Sequence, residues 1–264
     1  MTTAATRAPE ARLVLDRPGP ARVQDYLLGG KDNYATDRDL ADRILEVLPQ
    51  AADAARASRD FLARAVRLLA GRGVRQYLDL GCGLPRADNL HQMAARHIGG
   101  TRVVYVDDDP LVIAHARALL IDGGNIAALN ADIRDPASIL DSPEVRRLID
   151  PAEPVALVFS SVLHHLPGAS DVVAALAGTA PPGSAVVVSH ATADFAPAAL
   201  AEAARLYREA STVPMFPRGA GEFARLLGPF RRLPPGLVPL PSGHPRGTSR
   251  AGREPIMYGA VAVR

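Results

Sequence analysis

The sequence predicts an α/β fold, a doubly wound sheet that is mostly parallel and has helices on both faces. Three observations carry this expectation. Five short segments, "QYLDL", "RVVYVD", "NIAALNAD", "PVALVFSS" and "SAVVVSH", are almost wholly apolar, as strands covered on both faces are. Stretches with helical spacing separate them, and that alternation is the signature of parallel strands joined by helical crossovers. The chain has 264 residues, 48% of them hydrophobic, enough for one large core or for one domain with an appendage.

Each element can be justified in order. Residues 1–18 are rich in Ala, Thr, Arg and Pro and are expected to be flexible. Residues 22–28 and 37–48 read as short helices broken by "GGKDN". Residues 53–70 read as a longer amphipathic helix with Phe61, Leu62, Ala65, Val66, Leu68 and Leu69 on one broad face, ended by Gly71 and Gly73. Helices are then expected over Asp88–His97, Pro110–Leu120, 136–149, Asp171–Ala180 and Pro197–Ala210, each following a strand. The C-terminus departs from the alternation. "FRRLPPGLVPL" and "IMYGAVAV" have no helix between them and read as an antiparallel pair on the sheet edge. The expected organisation is a tail (1–18), a helical lid or cap (19–73) and a sheet domain (74–264).

Composition excludes several classes. A net charge of +2 leaves no nucleic-acid footprint. The single cysteine, Cys82, cannot form an internal disulfide, and no Cys/His cluster has zinc spacing. No metal site is expected. No run approaches ~20 apolar residues, so no membrane span is expected, and the N-terminus lacks the apolar core of a secretory signal. A cytoplasmic location fits these features.

The chemistry concentrates at strand ends. In "LDLGCGLPRAD" a strand ends in Asp79, and Gly81 and Gly83 let the backbone turn close to a ligand. Such a loop can hold a dinucleotide or a sulfonium nucleoside. An acidic residue before the glycines repels a pyrophosphate and suits S-adenosylmethionine, which carries a sulfonium and an ammonium. "VVYVDDDP" places Asp107 at the next strand end, 28 positions after Asp79, where a carboxylate accepts both ribose hydroxyls. The competing reading is that Asp107, Asp108 and Asp109 merely start the helix that Pro110 opens, with Asp109 expected to be its cap. "LNADIRDP" places Asp132 to accept from an adenine amino group, with Ile133 against the ring.

The segments "ARVQDYLLGGKDNYATDRDLA", "YLDLGCGLPRADNLHQMA", "VVYVDDDPLVIAHARALL", "ADIRDP" and "VLHHLP" together resemble an actinobacterial family of S-adenosylmethionine-dependent methyltransferases once catalogued only as a domain of unknown function. The resemblance runs from about Pro18 to Arg264. It implies a class I methyltransferase fold and S-adenosyl-L-methionine as cofactor. The family's substrates are largely undefined, so it implies no particular acceptor. Two departures stand out, since the family usually has Thr where this chain has Cys82 and Arg86. Arg86 puts a cation beside the loop.

Two further stretches bear on function. In "DYLLGGKDNY" the Gly29-Gly30 pair is a candidate hinge for a lid, with Tyr26, Lys31 and Asn33 as candidates for the cofactor's methionine end or the acceptor site. The competing reading is that this segment only packs on the sheet, with Asp32 or Asn33 as a cap. In "FSSVLHHLP", after the fourth strand, Ser160, His164 and His165 are candidates for the acceptor side. His164, nearer the strand end, is the expected base, although a histidine there can instead simply fix the loop. Arg246, Arg250 and Arg253 fall in the last connection and are expected to be a solvated face. The expected reaction is methyl transfer to an oxygen or nitrogen of a small molecule. A cofactor-binding module without turnover and an enzyme using another carbon of the sulfonium remain alternatives. A nicotinamide oxidoreductase is the third alternative and the least favoured, given Asp79.

Overall fold

The structure, a computed structural model, describes residues 15–121, 124–241 and 254–264. Arg246, Arg250 and Arg253, and most of the N-terminal tail, lie outside the described residues.

Three helices come first: α1 (Pro20–Leu27), α2 (Ala35–Val47) and α3 (Ala51–Ala70). The alternating part follows as β1 (Gln76–Leu80), α4 (Leu90–Ala95), β2 (Arg102–Asp107), α5 (Pro110–Leu119), β3 (Ile126–Asn130), α6 (Pro136–Leu140), α7 (Pro143–Leu148), β4 (Val155–Ser160), α8 (Ala169–Gly178), β5 (Ala185–Ala191) and α9 (Pro197–Ala210). The chain closes with α10 (Ala220–Leu226), β6 (Arg231–Arg232), β7 (Val238–Pro239) and β8 (Met257–Val263).

The strands form one sheet in the order β3-β2-β1-β4-β5-β8-β6, with β7 also paired to β8. Strands β1 to β5 are parallel, and β8 is antiparallel to β5, β6 and β7. The expected mostly parallel sheet with an antiparallel C-terminal pair is therefore present. Its order reverses between β1 and β4, and in such sheets ligands bind beyond the carboxyl ends of the strands at that point.

Period-two alternation divides the core. On one face Tyr77, Val103, Tyr105, Val158 and Val187 pack with residues of α1 to α5 and α9. On the other Leu78, Val104, Leu157, Phe159 and Val186 pack with residues of α6, α7, α8 and α10. Each such side chain contributes about 1.5–3 kcal/mol on full burial, which makes one-residue register slips costly. The N-terminal helices thus share a core with the sheet.

Several expectations are corrected. Leu68 is 41% exposed, since it sits just off the stripe that Phe61, Leu62, Ala65, Val66 and Leu69 bury. The helical stretch 136–149 is two helices, because Ser142 caps α7 by accepting the Val145 N–H and Pro143 starts it anew. "FRRLPPGLVPL" yields only the two-residue strands β6 and β7, because consecutive prolines donate nothing to a ladder. They form the edge, and β8 lies inside it. Helix α10 was not foreseen, although Phe223, Leu226 and Leu227 carry its spacing.

Candidate active site

One cavity of about 640 Å³ opens beyond the carboxyl ends of the strands, and Asp79, Gly81, Gly83, Asp107, Asp108, Asp132, Ile133, Ser160, His164 and His165 all line it. The glycine loop leaves β1 by hydrogen-bonding back to β2: the Gly81 and Cys82 N–H groups both donate to the Val106 carbonyl (2.8 and 3.1 Å). Gly81 has φ +72°, and a Cβ there would overlap the Val162 side chain of the loop after β4. Only glycine meets both conditions.

Asp107 is 8% exposed at the end of β2. Its carboxylate accepts the N–H groups of Gly83 and Asp109, each at 3.0 Å, so it is held rigidly toward the loop. Burial pushes its carboxyl, and that of Asp79, up to about 7. For Asp79 the nearby Arg59 guanidinium opposes this rise. Asp108 is exposed on the cavity wall and its side chain has no hydrogen bond to another residue among the described residues. Asp109 caps α5 by accepting the Leu111 N–H (2.9 Å) and pairs with Arg22 (3.2 Å). Asp132 is held by Arg134, whose Nε donates to both carboxylate oxygens (2.9 and 2.8 Å). That charge-assisted fork keeps the Asp132 carboxyl below the usual range.

The loop after β4 opens with Ser160 at the strand end and Ser161 in the left-handed region (φ 59°), which is costly for a residue with a side chain. A hydroxyl cluster holds it there. Ser189 Oγ accepts the Ser161 N–H (3.0 Å), and Ser58 of α3 bonds the hydroxyls of both Ser161 (2.9 Å) and Ser189 (2.7 Å). A short 3-10 turn, Leu163–His165, follows. Arg218, buried at 9% exposure, clamps this turn. Its guanidinium donates to the carbonyls of Leu163 (2.8 Å), Leu166 and Pro167 (3.1 Å), and to His190 Nε2 (2.8 Å).

The two loop histidines differ in tautomer. His164 Nδ1 accepts the Ala191 N–H at a long 3.4 Å, which puts the hydrogen of neutral His164 on Nε2. His165 Nδ1 donates to the Pro214 carbonyl (3.0 Å), which leaves its Nε2 a bare acceptor. Burial pushes His165 down to about 4, and His164 well below 6.5 with the help of the neighbouring His165, His190 and Arg218. Both rings are neutral near pH 7. The expectation that His164 is the base thus meets a ring that offers a hydrogen rather than a lone pair.

A profile of the S-adenosyl methyltransferase family matches residues 6–264. The chain belongs to this family. It is 37% identical to a DUF574-family protein from Streptomyces avermitilis, over 95% of this chain and 98% of that one, with a TM-score of 0.88. It is 36% identical to a candidate methyltransferase from Thermobifida fusca, over 94% and 96% of the two chains, with a TM-score of 0.86. The N-methyltransferase NodS from Bradyrhizobium japonicum, solved with S-adenosyl-L-homocysteine, is 16% identical over 92% of this chain and 98% of that one, with a TM-score of 0.51. At that identity the likeness is one of fold alone. No curated protein matches the chain. The protein is an S-adenosylmethionine-dependent methyltransferase with the class I fold.

The residues present fit that cofactor. A sulfonium and an ammonium suit the buried Asp79 carboxylate, ribose hydroxyls suit Asp107, and Gly81 and Gly83 leave the backbone open beside them. Among the described residues no group of three or more His, Cys, Asp and Glu side chains could hold a metal ion, and no helix is long and apolar enough to cross a membrane.

The methyltransferase does not bring Tyr26, Lys31 and Asn33 to the cavity wall. Helix α1 turns Pro20, Ala21, Gln24, Leu27 and Leu28, which share one helical face, toward the cavity. Tyr26 is off that face and its hydroxyl donates to Asp42 (3.0 Å). Lys31 is exposed. Asn33 donates to Asp25 (2.9 Å). The organising residue of the motif is Asp25, 3% exposed, which also accepts the Asp32 N–H (2.9 Å) and pairs with Arg86 (2.8 Å). Arg86 also donates to the Leu28 carbonyl (3.2 Å), so this departure from the family pattern ties the glycine loop to α1.

Gly30 packs on the same carboxylate, and a Cβ there would overlap it. Gly30→Ala is expected to destabilise the enzyme by about 1–3 kcal/mol through overpacking, at about 2–4 °C of melting temperature per kcal/mol. An unchanged melting curve would show that Asp25 can move aside at no cost.

Sequence reasoning missed Arg59, Arg86 as a tether, and Arg218. Arg59 lines the cavity from α3 and donates to the Asp88 carbonyl. Its signal was present, because Ala55, Arg59 and Leu62 share a helical face and an arginine on an apolar stripe needs a reason. Arg218 had no such signal, since its partners are backbone carbonyls 51 to 55 positions away and His190, 28 positions away.

Proposed function

We propose that this methyltransferase acts on an oxygen or nitrogen of a small molecule, with the cofactor held over β1 to β3 and the acceptor over β4 and β5. The observation that carries the cofactor's place in this reading is Asp107, a buried carboxylate on the cavity wall fixed by two backbone N–H groups. Bound S-adenosylmethionine would supply a methyl group already activated by its sulfonium. The protein's share is then positioning and exclusion of water.

In this reading Asp107 accepts the ribose hydroxyls, with Asp108 contributing little. Asp79 faces the cation, and Asp132 and Ile133 meet the adenine. Gly81 and Gly83 let the backbone approach, and Ser160 sits where the two ligands meet. Residues 19–73 act as a cap, because α1 and α2 contribute Leu27, Leu28, Ile44 and Leu48 to the cavity wall. Asn33 then supports the turn at Gly29-Gly30 through the Gly30 carbonyl and Asp25 rather than touching the ligand, and Tyr26 holds α1 to α2 through Asp42.

Calorimetry with S-adenosylmethionine, S-adenosylhomocysteine and NAD tests the reading. Micromolar binding of either sulfur nucleotide, about 8 kcal/mol, is expected. NAD binding with no response to the sulfur nucleotides would overturn it. A pH dependence follows. Asp79 and Asp107 have carboxyls raised to about 7, and both are needed ionised. Cofactor affinity should therefore rise with pH through 7 and fall below it, by up to about tenfold per pH unit for each group that must lose its proton. Protons should be released on binding near pH 6, seen as heats that depend on the buffer's ionisation enthalpy. Affinity flat between pH 6 and 8 would remove ionisation of these carboxylates from the account.

A further inference from the structure

We propose that the acceptor is an uncharged, largely apolar small molecule bearing a hydroxyl group, and that His165 Nε2 takes that hydroxyl's proton. The inference rests on the methyl-transfer reading above and goes beyond it to the acceptor's class and the base.

The cavity wall is partitioned by charge. Among the described residues, every charged side chain lining it belongs to α1, to α3, or to β1, β2 and β3 and the loops that follow them. What β4, β5, α9, residues 212–215 and the start of β8 contribute is uncharged, and α2 adds Ile44 and Leu48. Leu200, Tyr207, Met215 and Met257 set the character of this half. A carboxylate or ammonium acceptor would leave water there without an opposite charge to meet it, a cost far above that of a hydroxyl with one hydrogen-bond partner.

Three of the polar groups that line this half sort themselves by role. Ser161 is occupied by Ser58 and Ser189. His164 presents a hydrogen, because its Nδ1 is the acceptor for Ala191. His165 presents the lone pair, because its Nδ1 hydrogen is spent on Pro214. Facing the His165 ring are the rings of His164 (centroids 4.5 Å apart) and Tyr207 (5.3 Å), with His190 and Arg218 beyond His164. No carboxylate bonds to this group among the described residues, and burial outweighs the Pro214 carbonyl's pull toward imidazolium in the resting enzyme.

A weakly basic imidazole suffices for this chemistry. The acceptor oxygen gains the methyl as the carbon–sulfur bond breaks with its electron pair left on sulfur. The oxygen turns cationic as its new bond forms, its proton becomes strongly acidic, and that proton ends on His165 Nε2. The products are a methyl ether, S-adenosylhomocysteine and an imidazolium, which returns its proton to water.

Calorimetry with S-adenosylhomocysteine comes first, because a chain that does not bind it fails the methyl-transfer reading itself. On the loaded full-length protein, binding of 2-naphthol, 2-naphthoate and 2-naphthylmethylammonium is then compared. The naphthol should bind about tenfold or more tightly than either ion, and equal or tighter binding of an ion overturns the acceptor class. Nitrogen-15 spectra of the histidines near neutral pH, with His165 assigned from the His165→Gln spectrum, should show the Nδ1–H tautomer. An Nε2–H or doubly protonated ring overturns the base. Methyl-labelled S-adenosylmethionine is finally offered with a set of neutral phenols and alcohols. His165→Gln should lower turnover by about 10²–10⁴-fold while its melting temperature and S-adenosylhomocysteine affinity stay near those of the wild type. Turnover unaffected by the substitution overturns the base, and a wild type that methylates none of the set overturns the class.

Discussion

Asp107→Ala is expected to weaken S-adenosylmethionine binding by about 2–4 kcal/mol, roughly 30- to 700-fold. The size follows from charge. Hydrogen bonds to an ionised acceptor are worth about 1.5–3 kcal/mol each, and two ribose hydroxyls share this carboxylate in the proposed arrangement. The loss has a second source, because the Gly83 and Asp109 N–H groups both donate to this side chain and would lose their acceptor. Asp107→Asn sharpens the test. Its amide nitrogen would have to face one of those two N–H groups, donor against donor, so Asn should bind the cofactor almost as poorly as Ala. Asp108→Ala is the control and should change affinity far less, since that side chain is exposed and bonds to no other residue among the described residues. Calorimetry on the three variants decides. Equal losses at 107 and 108 would show that the ribose is held elsewhere.

Arg218→Ala is expected to cost about 3–5 kcal/mol of stability and most of the turnover. Its guanidinium donates to three carbonyls of the loop after β4 and to His190 Nε2. Each buried acceptor left without a donor costs about 1–3 kcal/mol, less whatever water entering the gap restores. Burial depresses the Arg218 pKa, while Glu222 opposes that. Arg218→Lys should recover only part of the loss, because an ammonium cannot span four acceptors in a plane. The readouts separate positioning from plain stability. With Lys, cofactor affinity should stay within a few-fold of the wild type while turnover remains low, since the loop carrying His164 and His165 is loosened and the Asp107 side of the cavity is not. A melting temperature within a degree or two of the wild type for Arg218→Ala would show that the turn holds itself.

The legible part of this protein is the part written locally. Apolar runs without alternation marked β1, β2, β4 and β5, because a strand covered on both faces has no polar side to display. The acidic residues at the ends of β1, β2 and β3 were legible for the same reason: a charge that closes an apolar run sits where the sheet ends and solvent or ligand begins. Asp109 was readable as a cap from the proline after it, and the side chain does accept the Leu111 N–H. Leu68 and the "FRRLPPGLVPL" strand were misjudged at the limits of local rules, one at the margin of a helical stripe and the other where prolines deny a ladder its donors.

By itself, then, the sequence determined the class of fold, the family resemblance and the acidic, glycine-bearing wall over β1 to β3, because spacing along the chain decides which side chains share a face. Only the tertiary structure decided what those side chains are bonded to. Asp25 reads as one more acidic residue in a polar motif until Arg86, 61 positions later, is seen on it. Tyr26, Lys31 and Asn33 looked like ligand groups because they adjoin a glycine pair, yet none of them lines the cavity: Tyr26 is off the face that α1 turns to it and bonds to Asp42, and Asn33 bonds to Asp25. His164 and His165 are identical neighbours in the sequence. Their difference lies in Ala191, which donates to one, and Pro214, which accepts from the other. A tautomer is set by partners distant in the chain, and no local pattern encodes it.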